Sequence, residues 1–400
     1  MKRIFDGFLS SSESPQAFSE SGFVEAMLRF EAALARAQAS LGLIPEAAAQ
    51  SIIGTCKVEL FDVPKIVRES ARAGSPAIPL IKSLKETVGL FNRDAANFVH
   101  YGSTSQDVVD SAQALVTRDA LKLIDADVER AIAALLARMD HHASDPVLER
   151  TLMQPTSVTS FGLKCEQWAA PLVRSRQRLQ ARAVSTLSLQ LGSGIGSSMQ
   201  MNGKEPQLIA LMAQELQLHA PVCAWQVRRD EWTALGCELG LLIGSLGKIA
   251  GDLALMGQYE VAELAQAPEP ARPAAPELAQ RNPVNCKLAI GAAQQTPARV
   301  AAMLANLAQA GDGGDWQTEL TNWQDLLTSA SASAREIAAT LSALQVDTQR
   351  MRVNLETVRT SPPAKVGADS FNANLIPHAA QRALAQAQTL SDPDRQQAAD

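Results

Sequence analysis

Apolar residues spaced three and four positions apart over long stretches are the feature that most constrains how this chain can fold. Such a pattern runs from Phe23 to Leu41 and again from Val108 to about Met139. It returns over residues 160–190, 205–218, 228–265, 284–310 and 317–347. This spacing puts apolar side chains on one face of a helix, and the alternation typical of half-buried strands is nearly absent. The sequence therefore predicts an all-α fold with a central bundle of long helices.

Glycines recur in the segment 228–265 at steps of four or seven, at Gly236, Gly240, Gly244 and Gly251. Each glycine in a helix interior costs about 1 kcal/mol relative to alanine. A stripe of glycines indicates a helix whose backbone lies against another helix, and a helix that is merely weak is the alternative. Such close packing is typical of the core of a helical bundle.

Composition and charge narrow the class of protein. The chain is 46% hydrophobic and 20% charged, as ordinary globular proteins are. A net charge of −6 gives no general attraction to nucleic acid or anionic membranes, and we expect neither as a partner. No apolar run follows the basic residues at the N-terminus, so a signal peptide is not expected. The most apolar stretch, Leu239 to Leu255, contains Lys248 and Asp252, which favours a buried helix over a membrane span.

The cysteines and histidines give no metal-site pattern. The five cysteines are scattered without a C-x-x-C pair, which predicts reduced thiols in a cytoplasmic protein rather than disulfides or a zinc site. His141 and His142, followed by Asp145, could suggest metal ligands. Adjacent histidines do not share a helix face, however, so a solvated helix end is the favoured interpretation.

A turn of small hydroxyl residues, Gly102 to Asp107, precedes the long helical pattern that starts at Val108. Such residues can offer N–H and O–H donors to a carboxylate, assisted by the positive end of the helix. An ordinary helix N-cap is the alternative. Arg229, near Trp225, is by itself more typical of a surface ion pair than of a substrate clamp, and Arg150, before a break rich in Pro, Thr and Ser, is equally open.

Taken together and in this order, these segments resemble the 3-carboxy-cis,cis-muconate cycloisomerases of the fumarase/aspartase superfamily. His100 to Asp107 is similar to the family segment H-W-G-A-T-S-Q-D, and Arg150 to Gln154 is similar to R-T-W-L-Q. Trp225 with Arg229 and Asp230 matches W-H-x-x-R-D. Further matches are Gln190-Leu191-Gly192, Gly247-Lys248-Ile249-Ala250, Arg281-Asn282-Pro283-Val284, and Trp316 with Glu319.

The resemblance implies a three-part helical subunit. Its parts are an N-terminal helical domain over 1–104, a central helical-bundle domain over 105–347 and a truncated C-terminal segment over 348–400. It also implies a homotetramer in which loops from three chains form each active site. We therefore expect a neighbouring chain to supply the close partner of the glycine-striped helix.

The family reaction is β-elimination or its reverse on a di- or tricarboxylate, without a metal or organic cofactor. In the cycloisomerases, one carboxylate of 3-carboxy-cis,cis-muconate adds across a double bond. Carbon is then protonated, which gives 4-carboxymuconolactone in protocatechuate degradation.

The resemblance also implies which residues form the site. Ser105 is implied to be catalytic as well as substrate-binding, and His100 is a second candidate for a catalytic role. The implied substrate-binding residues are Thr104, Ser105, Gln106, Arg150, Thr151, Gln154, Arg229 and Asn282.

The chain departs from the family in the loop between Ala265 and Pro283, whose five prolines exclude a continuous helix. Ala274 stands where the family has its catalytic serine. Because alanine has no exchangeable proton, another acid or base must act, and His100 is the one retained titratable group beside a matched motif. Gln226 replaces a family histidine. Two alternatives stay open: a catalytically degenerate paralogue that binds carboxylates or a homologous subunit, and a divergent lyase or cycloisomerase for a related anion such as 3-sulfomuconate.

Overall fold

The structure, a computed structural model, describes residues 19–192, 203–266, 284–307 and 316–360. Most of the regular secondary structure in these residues is α-helical, which confirms the all-α prediction. The helices are α1 (Glu20–Ser40), α2 (Glu46–Thr55), α3 (Val63–Ala73), α4 (Ala77–Phe91), α5 (Ser105–His141), α6 (Phe161–Thr186), α7 (Glu205–Leu216), α8 (Asp230–Met256), α9 (Val284–Asn306), α10 (Trp316–Ser342) and α11 (Thr348–Thr360).

Four short strands form two antiparallel pairs among the described residues. β1 (Pro146–Thr151) and β2 (Gln154–Ser160) form a hairpin, and β3 (Leu264–Gln266) pairs with β4 (Leu344–Val346). The hairpin corrects the interpretation of this segment as a simple break. Only the base of the hairpin is buried, so the alternation of apolar and polar residues that indicates a strand is too short to be recognised in the sequence.

The core is a bundle of α5, α6, α8, α9 and α10. α5 packs against α6 and α10, while α8 packs against α6, α9 and α10. Side chains such as Leu115, Leu239 and Ile337 are completely buried between these helices. α1 lies against α5 and also contacts α2 and α7, so the N-terminal helices are packed onto one end of the bundle.

The glycines of α8 pack against α9 of the same chain. A Cβ at Gly236 would stand 2.6 Å from the sulfur of Met303, and one at Gly240 would stand 2.9 Å from a valine methyl group of α9. Gly244 and Gly251 meet nothing within 4 Å. The close helix contact is therefore confirmed, but our expectation that a neighbouring chain supplies it is wrong for Gly236 and Gly240.

α8 is the one described helix whose length and apolar composition would allow it to cross a membrane. Its neighbours α6, α9 and α10 cover one side of it, and Leu239, Leu242, Ile243 and Leu246 are completely buried there. This environment is that of the core helix of a bundle. The proline-rich loop after Gln266 and the part of segment 348–400 that follows Thr360 lie outside the described residues.

Candidate active site

The turn before α5 is closed by a capping box. The Oγ1 atom of Thr104, the N-cap residue, accepts a hydrogen bond from the backbone N–H of Asp107 at 3.4 Å. The carboxylate of Asp107 in turn accepts from the N–H of Thr104 at 2.9 Å. This reciprocal pair fixes the first turn of the helix. Ser105 and Gln106 are the first two residues of α5 and lie at the positive end of its dipole.

Gln190 connects this turn to the segment before α8. Its Nε2 atom donates to Asp107 Oδ1 at 3.0 Å and to the carbonyl oxygen of Gly192 at 2.9 Å. Its Oε1 atom accepts from the backbone N–H of Trp225 at 2.8 Å, and its carbonyl accepts from the hydroxyl of Ser111 at 3.0 Å. A single buried amide therefore holds three segments of the chain in register at the candidate site.

Arg229 lies in a buried triad with two acids. Its Nε and Nη2 atoms donate to Glu319 at 3.1 and 2.5 Å, and its Nη1 atom lies 3.0 Å from Asp110 Oδ2. The guanidinium carbon also lies 4.9 Å from the ring centre of Trp225. The family resemblance implies that Arg229 belongs to an anion clamp on the substrate. In the structure two carboxylates of the same chain hold its guanidinium, and these contacts tie α5, α8 and α10 together.

The charges of the triad influence each other strongly. Burial raises the pKa of Asp110 to about 6, with the Arg229 guanidinium opposing the rise and the Glu319 carboxylate adding to it. Burial acts to lower the pKa of Arg229, but the two acids outweigh it and the pKa stands above its ordinary value. The guanidinium is therefore firmly charged, and two acids share it.

A chain of amides links the triad to the surface of the site. The Nε2 atom of Gln106 donates to Asp110 Oδ2 at 3.3 Å, and its Oε1 atom accepts from Nε2 of Gln226 at 2.5 Å. The family motif has a histidine where Gln226 stands, whereas an amide side chain supplies hydrogen bonds and no titratable proton. The Gln106 side chain thus bonds to Asp110 through Nε2 and to Gln226 through Oε1, and its backbone N–H lies in the first turn of α5.

His100 lies just before the same turn. Its Nδ1 atom is 2.7 Å from Oε1 of Glu31 on α1, and its ring is 14% exposed. The residue has a φ of 61°, in the left-handed region that non-glycine residues seldom adopt. His100 and the turn 102–107 therefore share one end of the bundle.

The residues of the second matched loop lie at the other end of α5. Arg150 donates to both carboxylate oxygens of Glu263, at 3.2 and 2.9 Å, and Asn354 donates to the same carboxylate at 2.9 Å. The hydroxyl of Thr151 lies 3.2 Å from another threonine hydroxyl across the hairpin, and Gln154 is exposed. The guanidinium of Arg150 therefore anchors the hairpin.

One chain cannot bring the two groups of residues together. α5 has 37 residues and is therefore about 55 Å long at a rise of about 1.5 Å per residue. A hairpin arm with the seven residues of β2 reaches only about 23 Å. The structure brings one group of predicted site residues together: His100, Thr104, Ser105, Gln106 and Arg229. It places a second group far from them: Arg150, Thr151 and Gln154. Asn282 and Ala274 lie outside the described residues.

The tip of the hairpin exposes two large apolar side chains on a strained backbone. Leu152 and Met153 have φ values of 53° and 64°, and they are 92% and 68% exposed. A two-residue hairpin turn that needs positive φ at both positions normally uses asparagine and glycine. Leu152 and Met153 are therefore unfavourable residues for this turn, and their apolar side chains are nevertheless exposed at the tip of the hairpin.

Comparison with known proteins identifies the family. The model of a lyase family matches residues 10–298. The 3-carboxy-cis,cis-muconate cycloisomerase of Bradyrhizobium diazoefficiens is 35% identical over 396 residues, which cover 96% of this chain and 88% of that protein. The nitrosuccinate lyase of Streptomyces davaonensis is 34% identical over 353 residues, 85% of this chain and 74% of that protein. The crystal structure of the 3-carboxy-cis,cis-muconate lactonizing enzyme from Pseudomonas putida has a TM-score of 0.82 at 32% identity, covering 98% of this chain and 91% of that one.

The helical bundle and the capped turn at its end thus define a class of protein, and the chain belongs to the lyase family of the fumarase/aspartase superfamily. Within that superfamily it groups with the 3-carboxy-cis,cis-muconate cycloisomerases, as its motifs predict.

Proposed function

We propose that the chain is a cycloisomerase that closes a lactone on 3-carboxy-cis,cis-muconate. The observation that carries the proposal is the turn at the start of α5, where buried Asp107 accepts hydrogen bonds from the N–H of Thr104 and from the side chain of buried Gln190. This turn is kept in a chain that is 35% identical to a cycloisomerase over nearly its whole length.

The reaction of the ionised substrate takes up one proton and otherwise only rearranges the bonds of the substrate. One carboxylate oxygen of the substrate forms a C–O bond to an alkene carbon, and the π electron pair moves to the neighbouring carbon. The charge spreads onto the carboxylate next to that carbon, and a proton then adds to the carbon. Such a step needs donors on the carboxylate that receives the charge and a positioned acid.

In the proposed assignment the charge-receiving carboxylate lies at the N-terminus of α5. The backbone N–H groups of Ser105 and Gln106 and the hydroxyl of Ser105 bind it, while Thr104 keeps the turn in shape. His100 supplies the proton, because Ala274 has none to give. Arg229 acts indirectly: it holds the carboxylate of Asp110, which in turn accepts a hydrogen bond from the side chain of Gln106.

We propose a homotetramer as the active unit, because the hairpin and the turn are separated by the length of α5 in one chain. A neighbouring copy then brings Thr151 and Gln154 to the turn. The exposed apolar tip formed by Leu152 and Met153 supports such a contact, as does the exposed row of α8 at Leu241, Gly244 and Leu255. The proposed unit is cytoplasmic and works without a cofactor, and its helical domains divide at residues 104 and 347.

The test is ultraviolet monitoring of the purified chain with 3-carboxy-cis,cis-muconate, whose conjugated diene is lost on lactone formation. Loss of the diene absorbance with formation of an isomer supports the proposal. If the substrate quenches the tryptophan fluorescence of the chain without being converted, the chain is a carboxylate-binding paralogue. Conversion of 3-sulfomuconate or nitrosuccinate instead would replace the proposed substrate by a related anion.

A further inference from the structure

We infer that Glu31 is a positioning residue, which orients the imidazole of His100 so that Nε2 is the nitrogen that exchanges a proton at the turn 102–107. The inference rests on the proposed function, in which His100 is the acid, and goes beyond it by naming the group that controls that acid. The two residues are 69 positions apart in the sequence and meet because α1 packs against the start of α5.

The geometry fixes which nitrogen of His100 carries its proton. A carboxylate can only accept a hydrogen bond, so the contact of 2.7 Å between Glu31 Oε1 and Nδ1 places a proton on Nδ1. In the neutral ring Nε2 then has a free lone pair. In the protonated ring the same Nδ1–H bond persists and Nε2 has a proton to donate. The same hydrogen bond is therefore present in both protonation states of the acid/base cycle. Carboxylates that accept from one ring nitrogen of a histidine commonly orient the ring in this way.

The backbone of His100 is held in a strained conformation by its surroundings. Its φ of 61° is strained for a residue with a side chain, and such strain persists where the surroundings over-determine it. On α1, Gln38 donates its Nε2 hydrogen to the carbonyl oxygen of Tyr101 at 2.7 Å. The same helix thus holds the imidazole through Glu31 and the adjacent peptide through Gln38.

Glu31 is poorly suited to a purely structural role. Its side chain is 1% exposed, and Oε2 has no hydrogen-bond partner within the described residues. The thiol of Cys56 lies in the same buried surroundings. Burial raises its pKa, and the Glu31 carboxylate raises that pKa further. Apolar residues often replace a buried ion pair without loss of stability. The presence of a carboxylate at this buried position is therefore explained by what it does to His100.

The experiment compares Glu31→Leu and Glu31→Gln with Gln38→Leu, a matched change on the same helix that loosens the same segment without touching the imidazole. The chain has only five histidines, so ¹⁵N-histidine labelling resolves the His100 ring, and His100→Asn assigns its signals. Turnover of 3-carboxy-cis,cis-muconate and thermal unfolding are measured on the same samples.

We expect Glu31→Leu to lose the Nδ1–H tautomer of His100. Its kcat falls roughly 10²-fold, as expected for a misplaced general acid, with little change in KM and no loss of folded protein. Glu31→Gln keeps an acceptor oxygen and restores both the tautomer and most of the kcat. Gln38→Leu keeps the tautomer and loses much less kcat.

An unchanged tautomer in Glu31→Leu would overturn the inference, as would an equal loss of kcat in Gln38→Leu. If the wild type converts no 3-carboxy-cis,cis-muconate, the proposed function fails while the ¹⁵N spectra still decide whether Glu31 orients His100. The two failures are therefore distinguishable.

Discussion

Arg229 and Glu319 form a bidentate ion pair inside the helical bundle, with Nη2 2.5 Å from Oε1 and Nε 3.1 Å from Oε2. The pair joins the start of α8 to the start of α10, and Asp110 extends it to α5. Arg229 therefore joins three helices at the end of the bundle where the capped turn lies.

The first prediction concerns the stability that this triad provides. Arg229→Met leaves Asp110 and Glu319 as unpaired buried acids, so the free energy of unfolding falls by about 3–5 kcal/mol. Adding Glu319→Gln removes one of these acids and recovers part of the loss. Denaturant unfolding measures both changes.

The control for the triad is Arg182→Met, because Arg182 pairs with Glu231 at 3.6 Å with both side chains about half exposed. An exposed pair contributes only about 0–1 kcal/mol. If Arg229→Met were no more destabilising than Arg182→Met, the triad would not hold the helices together.

The second prediction is a pH dependence that comes from Asp110. Its folded pKa of about 6 lies above the ordinary 3.8, so the folded chain binds more protons than the unfolded chain between these values. The free energy of unfolding then falls as pH rises from about 4 to about 6, by up to roughly 3 kcal/mol. Asp110→Asn lacks this fall, so its stability relative to the wild type improves from pH 4 to pH 7. A difference between the two proteins that is constant across this range would refute the assignment.

The third prediction concerns Gln190. Gln190→Leu leaves the carboxylate of Asp107 and the N–H of Trp225 each short of a partner, and each unsatisfied buried group costs about 1–3 kcal/mol. We also expect turnover to fall, because the turn before α5 loses its support. Gln180→Leu is the control, since Gln180 makes an exposed contact with Asp125. Equal effects of the two variants on unfolding and turnover would show that Gln190 does not support the site.

The fourth prediction follows from the distance of about 55 Å between the two ends of α5. If a neighbouring copy supplies the hairpin, two inactive variants, His100→Asn and Gln154→Ala, complement each other when they are refolded together. In an equal mixture about a quarter of the sites combine an intact turn with an intact hairpin, and activity returns at those sites. Mixing His100→Asn with Ser105→Ala restores much less, because both changes fall in the same segment. Mixed oligomers that regain no activity would place each site within one chain.

The sequence predicts the helices because their apolar repeats are long. For the turn 102–107 it leaves a carboxylate site and an ordinary N-cap as alternatives. The N-cap is present at Thr104, and anion binding there stays a prediction. The partners of Arg229 are missed because Asp110 and Glu319 lie 119 and 90 positions away, and no local pattern connects them. The contact of Glu31 with His100 is missed for the same physical reason: packing of α1 on α5 creates it.

The central claim, that the chain protonates carbon while closing a lactone and that His100 delivers the proton, is tested most directly by turnover in D₂O. The wild type and His100→Asn are incubated with 3-carboxy-cis,cis-muconate, and the product is analysed by NMR. The account predicts a lactone with one deuterium on the carbon next to a carboxylate, formed at least about 10²-fold more slowly by His100→Asn. A His100→Asn variant that is as fast as the wild type, or a product without deuterium on carbon, would contradict it.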